Sequence, residues 1–135
     1  MKKMSEPLIL TLKNKVANLE TDVSNLKSKT LWTNSSPSSS FASKTLNPSG
    51  LSSYSKILII AYRNYSDNQN KRTVTTYLEK GLNGELLYTD YFDGKVRSWS
   101  REVSFNDNGI YFGSSVINGE LNNKTLVPYK IIGMK

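Results

Sequence analysis

Between residues 8 and 29, apolar side chains recur at alternating spacings of three and four, a pattern that obliges one stripe of a helix to pack against something. With Ile9 at heptad position a, Ile9, Val16 and Val23 fall at a, and Leu12, Leu19 and Leu26 at d. That seam is the signature of a coiled coil. The flanking charges fit the same register. Lys15 at g precedes Glu20 at e by five residues, and Asp22 at g precedes Lys27 at e likewise. In a parallel, in-register bundle these pairs meet across the interface with opposite signs. A helix lying on its own domain has no use for such flanks, so the stretch is read as self-associating. Ser5-Glu6-Pro7 supplies its start, with Ser5 as the cap and Pro7 in the first turn, where amide hydrogens lack partners anyway.

The number of strands is set by competing signals. β-Branched residues at a with Leu at d favour dimers. Lys15-Val16-x-x-Leu19-Glu20, however, resembles the trimerisation motif of short coiled coils, with Lys where that motif usually carries Arg. The resemblance favours a parallel homotrimer. Three heptads make a short coiled coil, and an isolated helix of this length is marginal in water, so the rest of the chain is expected to help hold the assembly. Residues 1–30 are thus the oligomerisation helix. Residues 31–50 form a Ser/Pro-containing connection and first strand, and 51–135 a β head, with 31–135 as one unit.

A chain of 135 residues has room for this helix and one modest domain. It contains no cysteine and no histidine. Disulfides and thiolate metal sites are therefore ruled out, as is the commonest acid–base residue near neutral pH, and no cofactor is expected. No apolar run approaches the roughly 20 residues of a membrane span, and the basic start is not followed by a signal-peptide core, so assembly in a cytosol without membrane insertion is expected. The net charge of +7 is scattered rather than gathered in a stripe. Such a field attracts nucleic acid or anionic surface polymers, but it speaks first to solubility.

From Phe41 onward the sequence changes to short β-prone runs with turn signals between them. Residues 56–63 are the most apolar run, β-branched and of a length that suits a strand covered on both faces. Runs 73–82, 85–92 and 95–105 follow, joined by Asn83-Gly84 and Asp93-Gly94, the residue pairs preferred in tight hairpins because both positions take positive φ. Asn108-Gly109 and Asn118-Gly119 add two more such turns. In 95–105, strict alternation puts Arg97, Trp99, Arg101, Val103 and Phe105 on one face. Residues 126–135 close the chain as a strand whose Pro128 marks an edge or a bulge. The expected fold is mainly β: an antiparallel sandwich, jelly-roll-like, behind an N-terminal helix.

Leu31-Trp32-Thr33-Asn34 with Pro37 and Phe41, then Leu51-x-x-Tyr54-x-x-Ile57, resembles the opening of a β-rich domain common at the C-termini of bacteriophage structural proteins. Asn108-Gly109-Ile110, Phe112-Gly113 and the ending Leu126-Val127-Pro128-Tyr129-Lys130-Ile131-Ile132-Gly133 are similar to that family's closing pattern. The resemblance covers residues 31–135 and implies a virion protein, a tail fibre, head fibre or spike, assembled in the host bacterial cytoplasm. Such proteins are usually parallel trimers that join other virion proteins and touch the host cell. Only some thirty residues precede the β domain here, which implies a very short fibre or a fragment of one.

An enzyme is not expected. Without His or Cys the usual nucleophile–base pairs are missing, and the acidic candidates, Asp90 with Asp93 or Glu79 with Glu85, sit beside Gly turns where such residues commonly cap. Binding is the better reading. Eight tyrosines and two tryptophans are many for this length, and both residues suit contacts with sugars and proteins. Trp99 between Arg97 and Arg101 is a candidate for stacking on and charge-pairing with an anionic glycan, with Tyr62, Tyr65, Tyr88, Tyr91 and Tyr111 as further candidates near turns. Trp32, directly after the helix, is expected to pack at an interface between copies. The alternatives are a capsid-decorating fibre that binds no host receptor, and a nucleic-acid-binding accessory protein resting on charge alone.

Overall fold

The computed structural model describes residues 5–26, 28–63 and 72–135, with the helix side chains described as far as Val23. Leu26 as a seam side chain, Lys27 as an ion-pair partner, Tyr65 as a ligand candidate and the polar loop at 67–71 lie outside the described residues. Helix α1 spans Glu6–Leu26. The Ser5 carbonyl accepts the first intrahelical bonds from the Leu8 and Ile9 amides, both at 3.1 Å. The Thr11 and Thr21 hydroxyls donate back to the Pro7 and Ala17 carbonyls. Among the described residues nothing in the β domain covers the seam: Ile9 is 40% exposed, Leu12 44%, Val16 53%, Leu19 64% and Val23 48%.

The helix ends short of the expected boundary at residue 30, and the first strand, β1 (Lys29–Thr33), begins at once. Then come β2 (Lys44–Leu46), a 3-10 turn at Leu51–Ser53, β3 (Lys56–Tyr62), β4 (Thr73–Glu79), β5 (Asn83–Phe92), β6 (Lys95–Asn106), β7 (Gly109–Ile117), β8 (Glu120–Leu121) and β9 (Val127–Met134). Sheet I has the order β1-β9-β3-β4 and sheet II the order β2-β7-β6-β5, with β8 paired to β7. All the pairings are antiparallel. The inward faces share one core, in which Ile57, Ile59, Ala61 and Ile131 of sheet I meet Leu86, Trp99, Val103, Phe105, Ile110 and Phe112 of sheet II. The first three strands alternate between the sheets as in a jelly roll. β3–β4 then stay neighbours in one sheet and β5–β6–β7 run as a meander, so the topology is only partly of that kind.

Two of the expected turns form as read. Asp93-Gly94 joins β5 to β6 with φ of 50° and 74°, and Asn118-Gly119 joins β7 to β8 with 49° and 86°. Asn83-Gly84 is not a turn. It opens β5, with Asn83 opposite Ser104 and Gly84 opposite Val103, while the chain crosses between sheets one step earlier, at Lys80–Leu82, where Gly81 takes φ of 93°. Gly84 is small for a packing reason: a Cβ there would lie 2.9 Å from Leu78 Cδ2. The β6–β7 turn is centred on Asp107-Asn108 rather than Asn108-Gly109, with the Asn108 amide donating to Asn106 Oδ1. Pro128 sits at a bulge in β9, which is an inner strand and not an edge.

Trp32 packs inside its own chain. Its ring meets Phe41 edge-on at 6.2 Å, and Phe41 meets Phe112 at 5.6 Å, so the three rings close one margin of the core. These contacts lie within its own chain, in which the ring is half-buried.

Candidate functional site

The Asp93-Gly94 turn fixes the register of the β5–β6 hairpin and so sets Asp90 opposite Arg97. The pairing is a two-pronged one. Arg97 Nε donates to Asp90 Oδ1 at 2.8 Å and its Nη2 to Oδ2 at 2.7 Å, the fork geometry in which a guanidinium recognises a carboxylate best. Two further arginines arrive from sheet I. Arg63, just past the end of β3, is nearly buried and reaches Asp90 Oδ2 at 3.3 Å. Arg72, just before β4, donates to the Tyr88 hydroxyl at 2.7 Å. The backbones of these two residues are themselves joined, the Arg63 amide donating to the Arg72 carbonyl.

Aromatic rings floor the cluster. Trp99 lies against Tyr88 at 5.2 Å between ring centres. Arg63 stands over both rings, and Arg97 stands 4.4 Å over Phe92 and 5.0 Å over Trp99. Such cation–aromatic contacts hold the guanidinium planes in fixed orientations. Among the described residues, the guanidinium groups of Arg63 and Arg97 contact the Asp90 carboxylate, and that of Arg72 acts on it through its charge. The Arg97 hydrogen bonds hold the Asp90 carboxyl below its ordinary value, against a smaller opposing effect of burial, and the charges of Arg97, Arg63 and Arg72 add to the lowering. Asp90 is thus kept ionised and is unsuited to act as a general acid. The exposed Arg72, whose described partner is the neutral Tyr88 hydroxyl, is the guanidinium here that could meet a carboxylate, sulfate or phosphate group.

Of the sequence-derived candidates, Arg97, Asp90, Tyr88 and the ring of Trp99 meet in this cluster. Alternation does put Arg97, Trp99 and Arg101 on one face, but that face is the inside of the sandwich, and both Trp99 and Arg101 have no solvent exposure at all. Neither can stack on or pair with an outside ligand. Arg101 instead donates from Nε to the Leu126 carbonyl at 2.9 Å, from Nη1 to Gly113 at 2.7 Å and from Nη2 to Thr125 at 3.2 Å. Burial pushes its guanidinium down to about 10, still well above neutrality, so the group stays charged. Tyr91 is exposed on the outer face of β5, one residue along from Asp90 and so on the opposite side of the strand. Tyr62 is on sheet I, stacked on Tyr129 at 4.7 Å, its phenol raised by burial and by Tyr129.

Asp90 opposite Arg97 was within reach of sequence reasoning, because a two-residue turn at Asp93-Gly94 dictates that pair. Arg63 and Arg72 carried no local signal and Tyr88 is legible only as one tyrosine among several near turns, since the packing of the two sheets is what brings the three together. The other acidic pair is also separated, Glu79 lying in sheet I and Glu85 in sheet II. Among the described residues no group of three metal-ligating side chains occurs, and no helix is long and apolar enough to cross a membrane. Comparison with protein-family models, with curated proteins and with solved structures returns no match.

Proposed function

We propose that the chain is a short virion fibre or spike of a bacteriophage, in which α1 forms a parallel three-stranded coiled coil and the sandwich adheres to the host cell surface. The observation that carries this reading is the helix. Its whole described seam stands open, no described strand of its own chain covers it, and the charges flanking it are arranged for a partner of the same sequence. An uncovered amphipathic helix of this length is marginal on its own, so a partner helix is what makes it a stable element. The resemblance of residues 31–135 to phage β domains supports the virion setting, and the arginine cluster supports an anionic polymer of the cell surface as the ligand. Adhesion then works by avidity: three weak sites on one axis engage together at far higher effective affinity than one.

The solution mass of the intact chain tests the assembly. Light scattering is expected to give three chains per particle, and the double substitution Val16→Asp with Val23→Asp, which places unpaired charges in the seam, is expected to dissociate or weaken it. A monomeric intact chain at micromolar concentration would overturn the fibre reading.

A further inference from the structure

The inner strands β6 and β3 differ in what they turn to the outside, while elsewhere on sheet II Leu87, Tyr91 and Tyr111 are also exposed. The central strand of sheet II, β6, turns Val96, Ser98, Ser100, Glu102 and Ser104 outward, a mostly polar row that suits water. The central strand of sheet I does the opposite. β3 buries Ile57, Ile59 and Ala61 and turns Leu58, Ile60 and Tyr62 outward. Their cross-strand neighbours extend the apolar surface: Ile132 and Tyr77 flank Leu58, and Met134 stands beside Lys56. Tyr77 is 46% exposed and the others are half-buried, with no described element lying over them. β3 is thus composed for burial on both faces, as its sequence implies, yet one chain covers only one of them.

We infer that the outer face of sheet I is the interface by which the β domains of neighbouring copies pack, leaving sheet II and the arginine cluster turned toward the environment. The inference rests on the trimeric reading above and goes on to assign which face of the sandwich meets the axis. Two features commit the occupant to a second copy of this chain. β1, an edge strand of sheet I, follows α1 after two residues, so any bundle of the helices brings these sheets close to one another. Three heptads are a short seam, and a second contact surface is what such an assembly needs.

The absence of cysteine makes the test direct, because a single introduced thiol reports one position. Thr75→Cys puts a thiol on the outer face of sheet I beside Ile60, and Thr89→Cys puts one on the outer face of sheet II. Both positions are exposed in the single chain, so both variants are expected to fold. The mass of each full-length variant is measured first, then its rate of modification by a maleimide. In a trimer, the Thr75→Cys thiol is expected to react about tenfold more slowly than the Thr89→Cys thiol, and adding Ile60→Glu is expected to abolish that protection. Equal rates in a trimer would overturn this interface and leave the fibre reading standing. A monomeric mass for the intact chain would overturn both.

Discussion

Arg101 reaches across the inside of the sandwich to the carbonyls of Gly113, Thr125 and Leu126, and each of those carbonyls needs it for a particular reason. Gly113 lies where the β6–β7 register shifts, so its carbonyl is turned away from the ordinary ladder. Leu126 holds φ at 46°, an unfavourable value for a branched side chain, in the segment that leads into β9. Ser115 and Thr125 join their hydroxyls at 2.8 Å beside it. A methionine at 101 would fill much of the volume and leave these buried acceptors without their donor. Arg101→Met is therefore expected to destabilise the domain by about 3–5 kcal/mol, measured by urea unfolding, and Arg101→Lys to recover only part of that because it lacks the fork. Asp90 gives a prediction with a pH signature. Its folded-state carboxyl is held below the unfolded value, so its contribution is present above the unfolded value and is lost as pH falls through the folded one. Asp90→Asn is expected to cost about 2 kcal/mol at pH 7. The difference between the two proteins should shrink as unfolding is repeated at successively lower pH below about 4, where the unfolded carboxyl takes up its proton.

At the scale of the element, alternation and turn chemistry carried most of the information. The β5–β6 hairpin, its register and the inward row of β6 all follow from Asp93-Gly94 and from a period of two. What alternation cannot say is which row faces water. The row holding Trp99, Val103 and Phe105 is the core row by its composition, and an arginine within it is better read as a buried tie than as a ligand contact. Asn83-Gly84 misleads for a related reason. The dipeptide fits a tight turn, but Gly84 is required by its approach to Leu78, and the chain has already crossed between sheets at Gly81. The helix ends at Leu26, the last apolar residue of its seam and short of the expected boundary at residue 30, and Lys29 and Thr30 pair instead with Gly133 and Ile132. Gly133 tests this level of packing. A Cβ there would fall 2.6–2.8 Å from ring atoms of Tyr54, which is itself nearly buried. Gly133→Ala is expected to lower stability by about 1–3 kcal/mol in thermal or urea unfolding, since the ring has little room to give.

For the whole molecule, the proposed fibre divides the labour of a multivalent adhesin among the seam of α1, the apolar outside of sheet I and the arginine cluster. In such a fibre the helix would set the number of copies, one sheet would join them, and the other end of the sandwich would meet an anionic surface. Each copy's site is modest: its described charge surplus is small and much of it is already engaged with Asp90 and Tyr88. Strong attachment must then come from several sites acting at once, and linking weak sites can raise the apparent affinity by about a hundredfold or more. Two variants separate the parts. Val16→Asp with Val23→Asp leaves each site intact, and it is expected to weaken binding to a surface coated with anionic cell-wall polymer by about that factor at equal chain concentration. Arg72→Ala leaves the assembly intact, and it is expected to weaken each contact and to flatten the dependence of binding on salt, because one guanidinium fewer is available to the polymer. Binding measured across a salt series for both proteins checks the division. A loss in the first variant at unchanged salt slope, beside a reduced slope in the second, is what three weak electrostatic sites on one axis require.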